Sequence, residues 1–89
     1  MSNVFIALQA TEDARPIIDA IVEDNPAAIR VDQPGMVKID VDGVLTIRRE
    51  TIEAHLGRRF DLQELQIHLI TLSGHLDEDD DRFTLAWKN

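Results

Sequence analysis

The sequence predicts an α+β domain: a mostly antiparallel sheet packed on one main helix and two short helices, in the order β-α-β-β-β-α-α-β-β. Three observations lead there. Ala14 to Val22 carries apolar residues at helical spacing. The runs on either side alternate or are continuously apolar, as strands are. Only the strands flanking that first helix are far enough apart in the chain for a parallel crossover, so the others are expected to pair antiparallel. At 89 residues the chain fits one domain spanning 1–89, with a loose division near Arg48.

Val4 to Leu8 is continuously apolar, which suits a strand covered on both faces. In the helix that follows, Ala14, Ile17, Ile18, Ile21 and Val22 form one stripe. Asp13 is the expected N-cap, since Pro16 then falls within the first turn, where a missing N–H costs nothing. Asn25-Pro26 ends the helix. Ile29 to Gln33 reads as a strand, Pro34-Gly35 as a turn, and Val37, Ile39 and Val41 as the buried face of the next strand. A three-residue loop, Val41-Asp42-Gly43, would pair Ile39 with Leu45 and Val37 with Ile47, so that all four share one face. A hairpin of that register is therefore expected.

Arg49 to Leu56 reads as a short helix with Ile52 and Leu56 inward and Gly57 just past its end. Asp61 and Glu64 are spaced as a capping box for one further turn. A long strand then carries Ile67, Leu69, Ile70 and Leu72, with a break in alternation that fits either a bulge or a strand buried on both faces, and Gly74 interrupts it. Asp77 to Asp81 reads as a solvated loop, because adjacent like charges cannot be buried unpaired. Phe83, Leu85 and Trp87 alternate into a last strand, whose aromatics suit self-association by edge pairing.

Composition narrows the function. Net charge is −8, from 17 acids and 9 bases. Phosphate backbones and anionic membranes select the opposite sign, so nucleic acid and membrane surfaces are not expected partners. There are no cysteines, which removes disulfides, thiolate catalysis and cysteine metal sites. No apolar run reaches membrane-spanning length, and the N-terminus lacks a positively charged leader, so a cytoplasmic location is expected.

No catalytic or metal motif emerges. Asp77, Asp79 and Asp81 have the start of a calcium-loop spacing, but Arg82 stands where its glycine is required and Lys88 where its glutamate is required. The three histidines, His55, His68 and His75, lack helical metal-ligand spacing. His55 and His68 read as surface residues, and His75, after Gly74 and beside the acids, is the one general-base candidate. An enzyme built on it would be a small dimeric isomerase or lyase using His75 or His68. The more economical reading of a small acidic domain without chemistry is an interaction or regulatory subunit.

Glu12–Pro26 (EDARPIIDAIVEDNP), Val37–Asp40 (VKID) and Leu62–Phe83 (LQELQIHLITLSGHLDEDDDRF) closely resemble the small effector proteins of bacterial multicomponent diiron monooxygenases, the phenol hydroxylase type nearest. The resemblance covers nearly the whole chain. It implies a regulatory protein with no cofactor and no activity alone. Its partner would be a hydroxylase oligomer carrying the diiron centre, served by an NADH reductase with FAD and iron–sulfur. Docking there would direct electrons and O2 to hydroxylating the aromatic ring. The methane relative reaches over its hydroxylase with a long N-terminal tail, whereas here about three residues precede the first strand.

Two loops are the expected hydroxylase contacts. Ser73, Gly74, His75 and Leu76 form a small-residue break with a leucine that is hard to explain as core. Pro34, Gly35 and Met36 form the second, since a methionine is an adaptable contact. Asp77, Glu78, Asp79, Asp80 and Asp81 would steer the encounter.

Overall fold

The computed structural model describes residues 3–87. Strand β1 (Asn3–Gln9) is central to a four-stranded antiparallel sheet, in which β2 (Ile29–Gln33), β3 (Met36–Asp42), β1 and β5 (Leu69–Ser73) lie side by side in that order. A three-stranded antiparallel sheet sets β7 (Arg82–Ala86) between β4 (Val44–Arg48) and β6 (His75–Glu78). The inward side chains of both sheets and of helix α1 (Arg15–Asp24) form one core, which includes Ile6, Leu8, Ile17, Ile21, Ile39, Leu45, Ile47 and Leu85. The expected element order is present, with β6 as a further short strand after Gly74.

The α1 stripe is buried as its spacing requires, through Ala14, Ile17, Ile18 and Ile21. Its start differs from expectation. Ala14, not Asp13, is the residue before the first helical position, and the Thr11 hydroxyl accepts from the Ala14 N–H at 3.2 Å. Capping moves two residues upstream because Thr11 closes a preliminary turn, its carbonyl accepting from the Arg15 N–H at 3.1 Å. Pro16 remains within the first turn, where its missing N–H is harmless.

Asn25 ends α1 and ties it to β4. Its side-chain amide donates to the carbonyls of Ile21 and Thr46, each at 2.7 Å, and its Oδ1 accepts from the Thr46 N–H at 2.9 Å. The amide thus occupies the edge of β4 much as another strand would, closing a position open to foreign pairing.

The expected hairpin between β3 and β4 does not form. β3 pairs with β1 and β2, β4 pairs with β7, and the chain passes from one sheet to the other at Gly43. The shared face survives without the pairing. Val37, Ile39, Val41, Leu45 and Ile47 are all buried in the common core. An Asp-Gly turn serves a corner between sheets as well as it serves a hairpin, and local sequence does not tell the two apart.

Helix α2 (Arg49–Leu56) buries Ile52 and ends at Gly57, whose N–H donates to the Glu53 carbonyl at 2.8 Å. The capping box is present: Asp61 accepts from the Gln63 N–H and Glu64 accepts from the Asp61 N–H, both at 2.9 Å. It starts a 3-10 turn, Leu62–Glu64, that continues into α3 (Leu65–His68). Ile67 and His68 are therefore helical, and β5 begins only at Leu69. The break in alternation is a bulge. Ala7 pairs with Thr71 and Leu8 with Leu69, so Ile70 is the extra residue.

Edge pairing through the last strand is not available. β7 is flanked by β4 and β6, Phe83 is buried, and Trp87 lies past the end of the strand, its indole N–H donating to the Asn3 carbonyl at 2.9 Å. Among the described residues no helix is long and apolar enough to cross a membrane.

Candidate functional site

β5 and β6 are consecutive, yet they belong to different sheets, each as an edge strand. The chain turns from one to the other at Gly74, whose φ is +135°, a conformation side chains rarely adopt. A Cβ there would stand 3.0 Å from side-chain atoms of Val4 and Leu85. Glycine lets β1 and β7 pack against the turn, and the two edge strands diverge from it.

Between the diverging strands lies an apolar cleft of about 290 Å³. Leu69, Ile70 and Leu72 of β5 form one wall, Leu76 of β6 another, and Leu65 and Gln66 of α3 a third. Its floor is the core itself, through Ile6, Ile47, Phe83 and Leu85. Ile67 is 70% exposed and Ile70 46% exposed on the same segment. A larger groove beside α2 is polar, and its Arg49 and Glu53 already have partners in Asp81 and the Phe60 N–H. The apolar cleft, with unsatisfied hydrophobic surface, is the better docking feature.

The helical turn explains why Ile67 is exposed. Leu62 and Leu65 are buried and Leu69, seven residues on from Leu62, is partly buried against the core, and Ile67 falls out of phase with them. The capping box was the signal available for this, since a helix begun at Asp61 turns Ile67 outward if it persists for one more turn.

The acidic segment is more ordered than a free loop. Asp77 and Glu78 belong to β6, and only Asp79, Asp80 and Asp81 lie between strands. Arg49 clamps Asp81 twice: its backbone N–H donates to the Asp81 carbonyl at 2.9 Å, and its guanidinium donates to the Asp81 carboxylate at 2.9 Å. Asp79 accepts from the Asp81 N–H at 2.7 Å. Gln63 donates to Glu78 at 2.9 Å, joining the capped turn to β6. His75 lies 3.2 Å from Asp77, and both are exposed on the strand, outside the cleft.

The structure separates the two loops singled out from sequence. Ser73 pairs with Phe5 near one end of β1, and Met36 pairs with Gln9 at the other. Four residues along β1 set them about 13 Å apart in the strand direction, on opposite sides of it. Leu76 lines the cleft, Ser73 sits at its end in β5, and Pro34 and Gly35 form an exposed turn between β2 and β3. Sequence reasoning missed Ile67 and Ile70, placing them inside a buried strand. Among the described residues no group of three or more His, Asp or Glu could hold a metal ion.

A family model described as MmoB/DmpM matches residues 2–86. The chain belongs to the MmoB/DmpM family. It is 49% identical, over 99% of its own length and 98% of the relative's, to the stimulatory component DmpM of phenol 2-monooxygenase from Pseudomonas sp. (strain CF600). It is also similar to a chain of a solved phenol hydroxylase–regulatory protein complex, with 45% identity, a TM-score of 0.92, and coverage of 97% of this chain and 99% of that one. The soluble methane monooxygenase regulatory protein B shares the fold at a TM-score of 0.77 and 20% identity, over 97% of this chain and 65% of that one. The MmoB/DmpM fold is thus the one built here: two sheets on a shared core, diverging at Gly74.

Proposed function

We propose that this chain is the cofactor-free regulatory subunit of a multicomponent, phenol-type aromatic monooxygenase. As a single effector domain it binds the diiron hydroxylase and couples NADH and O2 consumption to ring hydroxylation. The observation that carries this reading is the near-full-length likeness to a stimulatory component of phenol 2-monooxygenase. The relatives' roles, stimulatory and regulatory, also favour it over an isomerase or lyase based on His75 or His68.

The open flank is the surface we assign to the hydroxylase. It comprises Ile67 and Ile70, the cleft with Leu76, and the adjoining Ser73–His75 turn. Burying an isoleucine contributes roughly 1.5–3 kcal/mol when complete, and with Ile67 70% and Ile70 46% exposed the two together offer about that much before the costs of association. That is enough for regulation, because coupling between sites is typically about 1–3 kcal/mol. The effector shifts the hydroxylase toward a productive conformation only to the extent that it binds that conformation better. The diiron centre and the reductase's FAD and iron–sulfur groups belong to the partners, so the reaction and this protein's hydrophobic contacts sit on different chains. The acids Asp77 to Asp81, with Asp79 and Asp80 on the polar groove beside α2, steer the approach to a basic surface. Pro34, Gly35 and Met36 lie across the sheet and form at most a secondary contact. The site of action is the cytoplasm, where NADH is supplied.

Titrating the protein into hydroxylase, reductase and NADH, with hydroxylated product and peroxide both measured, tests this reading. Product per NADH rises and peroxide falls as the effector is added. No change in either would contradict it, as would turnover of any substrate by the purified protein alone.

A further inference from the structure

We propose that Trp87, with Asp42 and Val44 beside it, is a socket for a basic side chain, a lysine or arginine of the hydroxylase. The inference rests on the hydroxylase reading above and adds to it a polar contact that the apolar cleft does not contain.

Trp87 is the one tryptophan of the chain and is 49% exposed. It is nonetheless fixed. Its indole N–H donates to the Asn3 carbonyl at 2.9 Å, which ties the end of the last strand to the start of the first. With that donor spent, what the ring offers a partner is its π face. A side chain already held in place loses little freedom on binding, and tryptophan is enriched among the residues that carry interface energy.

Two separate pairings set Asp42 beside the ring. β4 pairs Val44 with Ala86, so the next residue, Trp87, falls opposite Gly43, between Asp42 and Val44. β1 pairs Asn3 with Asp42, and Asn3 is the residue that holds the indole. Asp42 is exposed, and its carboxylate has no ion pair among the described residues. Val44 is 51% exposed, an apolar rest for the methylene stem of a long basic side chain. A Cβ at Gly43 would meet nothing within 4 Å, so the space above the turn is open.

These neighbours select the charge of the occupant. The face of an indole attracts a cation more strongly than the face of any other aromatic side chain. Phe5 of β1 already carries one, with the Lys38 Nζ 4.5 Å from its ring centroid. Among the described residues no cation lies over Trp87, the better ring. The Asp42 carboxylate and a net charge of −8 repel an acidic group and draw a basic one. The socket is also continuous with the docking flank. β6 pairs His75 with Ala86, which places Trp87 next to the Ser73–His75 turn.

Fluorinated tryptophans test the contact at this position alone, because the chain has no other tryptophan. Fluorine withdraws charge from the π face and keeps the shape of the ring. Calorimetric titration of the hydroxylase compares the unmodified protein with its mono-, di- and trifluorotryptophan forms, and with Trp87→Leu and Asp42→Ser. Affinity is expected to fall stepwise with the number of fluorines, towards the roughly tenfold loss of Trp87→Leu, while the fluorinated forms melt at the wild-type temperature. Asp42→Ser weakens binding about threefold and makes it less sensitive to salt. Affinity that stays level or rises with fluorine would overturn the cation, and wild-type binding by Trp87→Leu would overturn the contact altogether. Either result leaves the hydroxylase reading standing. Absence of binding by the unmodified protein would remove that reading, and the socket with it.

Discussion

The two flanks of the core are built from similar residues and end differently. On the α1 flank, Ile17, Ile18 and Ile21 are buried almost completely, and Asn25 locks the helix end to β4 with two hydrogen bonds to Thr46 and one to Ile21. On the β5–β6 flank, Leu69, Leu72 and Leu76 are only partly covered, and Ile67 and Ile70 face outward. The first flank is sealed by the chain's own helix. The second has only a 3-10 turn and a four-residue helix, and its partly covered leucines line a cleft over the buried core. In a domain of this size apolar surface is scarce, and leaving some uncovered lowers stability. The arrangement is explained when a partner supplies the missing cover.

Substitutions can break this contrast. The largest effect is expected on the sealed side. Ile21→Ala should cost about 2–5 kcal/mol of stability, read as a lowered denaturation midpoint, with hydroxylase affinity unchanged at temperatures where the variant is folded. Next comes the turn that separates the two edge strands. Gly74→Ala meets both an unfavourable φ and the side chains of Val4 and Leu85, for a loss of order 1–3 kcal/mol by thermal denaturation. The open side should behave in the opposite way. Ile67→Asp should leave stability within about 0.5 kcal/mol and weaken hydroxylase binding about tenfold or more, measured by calorimetric titration. The smallest effect belongs to the acids. Asp80→Asn should slow association with the hydroxylase by a few-fold at low salt and hardly at all at high salt, in stopped-flow measurements. Asp81→Asn should instead loosen the clamp from Arg49, an exposed pair of at most about 1 kcal/mol.

Much of the helical framework was legible in the sequence. The α1 stripe, the α2 boundaries with Gly57, and the capping box at Asp61 are local signals, carried within a few residues of each other. What was not legible depends on distant chain. Asp42-Gly43 reads as a hairpin because the turn chemistry is the same at a corner between sheets, and only the competing partners β1 and β7 decide the outcome. Ile67 reads as a strand residue because the apolar residues of that segment suit either structure over a short run. The acidic run reads as loop throughout, although Asp77 and Glu78 are carried into β6 by pairing with Thr84 and Phe83. The cleft has no local signature at all. Its walls come from α3, β5 and β6 and its floor from β1, β4 and β7, so it exists only once the two sheets have diverged. Leu76 was the exception, since a leucine followed directly by acids stood out without any knowledge of the fold.

The claim that the open flank is the partner-facing side is tested most directly by backbone hydrogen exchange of this protein with and without the hydroxylase. Protection should rise across α3, β5 and β6, and stay unchanged in α1 and β2. Protection confined to α1 or β2, with residues 65–76 exchanging as they do in the free protein, would contradict it.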